Sequence, residues 1–287
     1  MTTILSPAAA AMPTLADVVR HVHDLPSLPA VVAELMAAQE DIDLTVLAEK
    51  ITLDQALTAK TLRLANSSFY GMQSQVTNMR QAIAVLGVRS IRMLIATCAV
   101  MGSFTPVPGS RFDFPRFWRH AVGTAVAARA LAPHLRIDAE TAFMAGLLHD
   151  IGGLVLATRL GEAHEAMLAY RAERDCYQSE AEQALFGFDH AVVGSALAAH
   201  WKFPAEIQAA VARHHAPPDD GRQSLPLLIH AANIVAHGLD LAGDEDDLVP
   251  PLSELAWSTL NLSDAAWLQV FRDTEATFHK MCQVLLG

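Results

Sequence analysis

Apolar residues return every three to four positions along most of this chain, with polar residues between them. Leu44–Ile51 shows that spacing. So does 55–66, where Leu57, Thr61, Leu62, Leu64 and Ala65 fall near one face. The turn Asp24–Pro29 launches a helix over 30–39. A helix over 79–86 ends at Gly87, and 90–102 is apolar nearly all round, which predicts burial. Thr105–Ser110 is the strongest punctuation of the first half and marks a subdomain boundary. Beyond it the pattern predicts a helix over 115–131, ended by Pro133. A longer one follows over 139–160, with Asp138 as N-cap and a bend at Gly152-Gly153.

Further helices are expected over 161–175, behind a Ser179–Glu182 capping box, over 191–201, over 205–214, over 225–239, and from Ser263 or Asp264 to about Leu285. Gly243–Asp247 reads as an acidic, solvated turn. No run of alternating β-branched residues is long enough to predict a strand. The fold class is therefore all-α, a two-lobed helical bundle. The expected division is an N-terminal extension over 1–19, a domain over 20–240 with lobes 20–104 and 111–240, and a C-terminal helical extension over 241–287.

Composition sharpens this picture. Hydrophobic residues make up 52 % of 287, enough for a substantial core, while aromatics are only 6 %, which favours helices over strands. A formal net charge of −11 repels phosphate backbones, so nucleic acid is disfavoured as a partner. Arg89, Arg92, Arg116 and Arg119 supply local positive charge without a basic recognition helix. Cys98, Cys176 and Cys282 are far apart and odd in number, which implies neither a disulfide framework nor a thiolate zinc site. The start lacks a basic targeting region and the run 91–102 is too short to span a bilayer, so a cytoplasmic protein with no membrane contact is expected. The apolar helices 90–102 and 265–286 offer faces for a homo-oligomer.

The candidate chemistry lies in the histidines, of which there are 13. His21, His23, His134, His164, His237 and His279 sit in polar contexts and read as surface residues; His200 reads as a helix-end histidine. His120, His149, His190, His214 and His215 differ, because each lies in an apolar helical context, and His149 is followed directly by Asp150. Histidines that face a core need partners, and one shared cation satisfies several at once. Nitrogen and oxygen donors suit a divalent transition metal: zinc, iron, manganese or nickel. His230 and Asn233 share a helix face and are candidates to add to the site.

These residues resemble the HDOD proteins, a branch of the HD-domain superfamily of metal-dependent phosphohydrolases. The resemblance spans roughly 20–240. It is carried by Leu25-Pro26-Ser27-Leu28-Pro29, by 53–60 (LDQALTAK), by 62–70 (LRLANSSFY), by 81–87 (QAIAVLG) and by His149-Asp150-Ile151-Gly152. It implies a metal set of His120, His149, Asp150 and position 233, with His190, His214 and His215 standing where relatives with more than one metal add histidines.

The chain departs from that pattern in several places. Asn233 replaces the last carboxylate, and Gly153 stands where active relatives often carry Lys. Ala216 follows His214-His215 instead of an acidic residue, 219–222 lacks a Gly-Tyr-Pro signature, and Gln55 replaces a Pro. The resemblance thus implies a bacterial signal-transduction module that binds partner proteins or a small phosphorylated ligand around a degenerate metal site. The alternative is a metal-dependent phosphohydrolase acting on a nucleotide or another phosphoester, with Asp150 as its catalytic residue.

Overall fold

Side-chain oxygens set the helix starts. Asp54, Asn78, Asp113, Asp138, Asp189 and Ser224 each accept a hydrogen bond from the backbone N–H three residues on, and each such cap contributes about 1 kcal/mol. The computed structural model describes residues 12–23, 28, 32, 44–67, 75–105, 111–244 and 247–286. The expected helix over 30–39 apart from Val32, most of the turn before it and residues 106–110 lie outside the described residues.

The described helices are α1 (Leu15–His23), α2 (Leu44–Thr52), α3 (Gln55–Ala65), α4 (Met79–Gly102), α5 (Phe114–Leu131), α6 (Ala139–Leu148), α7 (Ile151–Arg159), α8 (Gly161–Arg174), α9 (Gln178–Phe186), α10 (His190–His200), α11 (Ala205–Arg213), α12 (Leu225–Gly238), α13 (Glu254–Leu260) and α14 (Asp264–Leu285). A 3-10 turn, Ala132–Leu135, follows α5 at Pro133. Among the described residues there is no strand, so the fold is all-α.

Helix α5 is the centre of the molecule. Its residues 120–128 are buried without a break, and α6, α12 and α14 pack around it. Helix α14 turns Trp267, Val270, Thr274, Phe278 and Met281 inward at three- and four-residue intervals, and Arg119 of α5 lies 5.0 Å from the Phe278 ring. Helix α10 packs between α7 and α11, with α1 behind it. Helix α4 rests on α2, α3 and α6. It breaks at Gly87 (φ 80°, ψ 160°), where the pattern predicts a stop, and its second half is buried from Met93 to Val100.

The stretches Met79–Gly102 and Ala139–Arg159 are long and apolar enough to cross a membrane by length and composition. Shares of 56 % and 89 % of their apolar windows are buried within the protein, so both serve as core helices here.

Two local expectations fail. The stretch 139–160 is not one helix bent at Gly152-Gly153; it divides at His149 and Asp150. His149 folds its ring back so that Nδ1 lies 2.7 Å from the Gly146 carbonyl, and Asp150 leaves helical geometry at φ −99°, ψ 9°. The capping box is also displaced. The Glu180 carboxylate accepts from the Tyr177 N–H at 3.1 Å, so the cap is Tyr177, two residues before Ser179, and Glu182 is free to turn inward.

Asn66, in the stretch that carries the family resemblance, closes α3 onto the start of α4. Its Nδ2 donates to the Leu62 and Val76 carbonyls at 2.9 and 2.8 Å, and its Oδ1 accepts from the Val76 N–H at 2.7 Å. Replacing it with Ala strands backbone groups of Val76, so Asn66→Ala is expected to cost about 1–3 kcal/mol in urea denaturation.

Candidate metal centre

The termini of four helices and the interior of a fifth bring six side chains to one point. His120 is buried inside α5. His149 and Asp150 form the junction between α6 and α7. His190 opens α10, held by its Asp189 cap, and His214 and His215 end α11. Asp150 lies in the middle and its two oxygens face opposite ways. Oδ1 is 3.1 Å from His190 Nε2 and 3.2 Å from His214 Nε2. Oδ2 is 3.2 Å from His149 Nε2 and 3.5 Å from His120 Nε2. Two sets of donor atoms result, each closely grouped: Asp150 with His190, His214 and His215, and Asp150 with His120 and His149.

The far side of each ring decides which nitrogen faces the centre. A carbonyl can only accept, so Nδ1 of His149, 2.7 Å from Gly146 O, carries the proton. The same holds for His214, 2.8 Å from Val211 O. Nδ1 of His190 is 2.7 Å from Glu182 Oε2. The Nε2 lone pairs of His149 and His214 therefore point at Asp150. His214 Nε2 and Asp150 Oδ1 are both buried without a hydrogen-bond partner. Two electron pairs facing each other at 3.2 Å with no proton between them repel, and a cation placed among them removes that cost. Two further Nε2 pairs lie within hydrogen-bonding distance, His120 with His149 at 3.2 Å and His190 with His215 at 2.8 Å, the tautomer of each ring setting which one donates. The residues present fit a divalent transition metal, whose imidazole ligands usually donate their other N–H to a carbonyl or carboxylate.

The electrostatics follow from burial. It pushes His120 down to about 3 and lowers His214 and His215 as well, so these rings stay neutral and able to ligate. Burial also opposes charge on His190, but Glu182 and Asp150 outweigh it and hold its proton well above the usual imidazole range. Asp150 remains a carboxylate against burial because of the imidazoles around it, His149 first.

His120, Asp150, His190 and His215 of the cluster line a cavity of about 500 Å³, walled also by Arg116, Arg171, Tyr177, Asn233, His237 and Asp247 among others. Asn233 lines this cavity but belongs to neither donor set; its Oδ1 is buried and unpartnered. His230 also lines the cavity but belongs to neither donor set; its Nδ1 donates to the His214 carbonyl at 2.7 Å and so supports the end of α11.

Three polar-context expectations are corrected. His164 is buried on the inner face of α8, three residues before Met167, and meets Phe112 edge-on at 5.7 Å. His237, one turn beyond Asn233, lies on the inner face of α12; its ring is 4.4 Å from that of His120, and its Nδ1 bonds to Asp247. The 243–247 turn is therefore not simply solvated: Asp247 holds His237, and Asp244 pairs with Arg116 at 3.1 Å.

Sequence reasoning also missed Glu182 as part of the site. It is fully buried and accepts from the His190 backbone and ring. The available signal was a carboxylate at a position that shares the apolar face of α9 with Phe186.

Comparison with known proteins decides the family. The profile of the HDOD domain matches residues 25–217. The chain belongs to the HDOD family. This HDOD chain superposes on a candidate phosphohydrolase from Shewanella amazonensis SB2B at 26 % identity, with TM-score 0.67, covering 90 % of this chain and 97 % of that one. It is also similar to an HDOD domain protein of unknown function from Geobacter sulfurreducens, at 22 % identity, TM-score 0.75 and 94 % and 98 % coverage. A candidate signal-transduction protein from Marinobacter aquaeolei VT8 matches at 21 % identity and TM-score 0.75, over 92 % of this HDOD chain and 60 % of its own. An uncharacterized protein of Treponema pallidum is 26 % identical over 231 residues, and the chain spans 44 % of that relative's length.

Proposed function

We propose that this chain is a cytoplasmic signal-transduction module of the HDOD type that holds divalent transition metal at the Asp150 cluster and binds a partner protein or a small phosphorylated ligand through the cavity above it. The observation that carries the metal reading is the pair of unpartnered buried acceptors, His214 Nε2 and Asp150 Oδ1, set 3.2 Å apart. His120, His149, Asp150, His190, His214 and His215 are the proposed ligands, with Asp150 shared between two cation positions. When bound, such an ion supplies Lewis acidity toward an oxygen of the ligand.

A regulatory role is favoured over turnover by what lines the cavity. Position 233 offers a neutral amide. Gly153 brings no side chain, and so no cation, to the part of the cavity lined by Gln178 and Phe117. A solved relative described as a candidate signal-transduction protein supports the same reading.

Hydrolysis is the second reading, favoured by Arg111, Arg116 and Arg171 on the cavity wall, a placement suited to phosphate oxygens. Elemental analysis of reconstituted protein is expected to give about two equivalents of metal, with no cleavage across a nucleotide panel in manganese, iron or zinc. Less than about a tenth of an equivalent removes the metal reading. Metal-stimulated cleavage that Asp150→Ala abolishes moves the assignment to a phosphohydrolase.

A further inference from the structure

Glu182 is a carboxylate with no solvent exposure, and both its oxygens are engaged. Oε2 accepts from the His190 backbone N–H and from His190 Nδ1, each at 2.7 Å. Oε1 accepts from Gln178 Nε2 at 2.8 Å. Among the described residues its ion-pair partner is the His190 ring alone. A carboxylate that holds one ring nitrogen fixes the direction in which the other nitrogen points. For His190 that other nitrogen, Nε2, lies 3.1 Å from Asp150 Oδ1.

The two halves of the cluster are supported unequally. On the Oδ1 side stand three imidazoles, and the anion Glu182 backs one of them. The Oδ2 side has two. His149 there is backed by a neutral carbonyl, and His120 meets another imidazole, His237, at a ring separation of 4.4 Å. Asp247 is bonded to His237 and not to a ring of either donor set. Carboxylate backing raises the basicity of the facing nitrogen and fixes the ring orientation, and its removal costs about 10–100-fold in metal affinity.

We propose that Glu182 is a positioning residue that makes the His190–His214–His215–Asp150 half the tighter of two cation positions, so that this half loads first and the His120–His149 half second. The proposal rests on reading the cluster as a metal centre.

The test is calorimetric titration of zinc into the metal-stripped full chain, repeated with cobalt to follow its visible absorption. Two steps of unequal affinity are expected. Glu182→Gln should weaken the tighter step by about 10–100-fold and shift the spectrum of the first cobalt equivalent, leaving the weaker step in place. His149→Ala should remove the weaker step alone. Ring-nitrogen NMR of the wild type, which does not depend on any variant folding, should show the first zinc equivalent perturbing His190 and His214 before His120 and His149. Binding of no metal overturns the metal-centre reading and the loading order with it. Two equal steps, a tighter step unmoved in Glu182→Gln, or early perturbation of His120 and His149 overturns the loading order while the metal centre stands.

Discussion

Replacing Gly152 with Ala is expected to destabilise the protein by about 3 kcal/mol, the upper end for overpacking, and to lower its melting temperature by roughly 5 °C. The same change one residue on, Gly153→Ala, is expected to leave stability unchanged or raise it by up to about 1 kcal/mol through helix propensity. The two glycines are neighbours in the first turn of α7, so composition and exposure do not separate them. What separates them is the approach of α10. A Cβ on Gly152 would lie 2.0 Å from the His190 carbonyl oxygen and 2.5 Å from the Gly194 nitrogen. Those are backbone atoms, so no rotamer change relieves the contact and the two helices must move apart. A Cβ on Gly153 meets nothing closer than Gln178 Nε2 at 3.8 Å. Because the atom in the way belongs to His190, Gly152→Ala should also reduce metal content. Differential scanning calorimetry of both variants with elemental analysis checks the pair. Equal melting temperatures for the two would mean that α7 and α10 are not this close.

The same close packing explains what could and could not be read from the sequence. Helix positions were legible where burial is one-sided, as in α3 and α14, whose inward residues repeat at helical spacing, while the second half of α4 was legible as an unbroken apolar run. The stop at Gly87 was legible because a φ of 80° suits glycine. The division at His149–Asp150 was not, since the apolar run continues through it and the bond from the His149 ring to Gly146 O is a tertiary adjustment to a shared centre. Glu182 was misread as a capping residue because its partner lies across a turn, eight positions along the chain. Asp247 was hidden among the like-charged Asp244, Glu245 and Asp246; only the path of the chain after α12 brings it to His237. Residues with chemistry in an apolar context were found, and their supports in polar contexts were missed.

Asp150→Asn is expected to abolish metal binding at both halves of the cluster while leaving the fold intact. Asp150 is the only residue common to the two donor sets among the described residues, with one oxygen toward each, so no single histidine replacement should have the same reach. The amide keeps the shape but removes the negative charge and turns a donor toward His149 or His214 Nε2, where a lone pair waits. With the amide nitrogen in the place of Oδ1, the unpartnered His214 nitrogen gains a hydrogen bond, which helps the metal-free fold. The proton on His190 is not stranded either, because Glu182 remains 2.7 Å from its Nδ1. Metal that binds only the folded chain adds about 2.7 kcal/mol of stability at a free concentration about 100 times its dissociation constant. Wild-type protein should therefore melt higher with added zinc and lose that increment to a chelator. The Asp150→Asn variant should melt at one temperature in both conditions, near that of the stripped wild type. A zinc-dependent rise in the variant equal to that of the wild type would mean that the cation sits elsewhere than around Asp150.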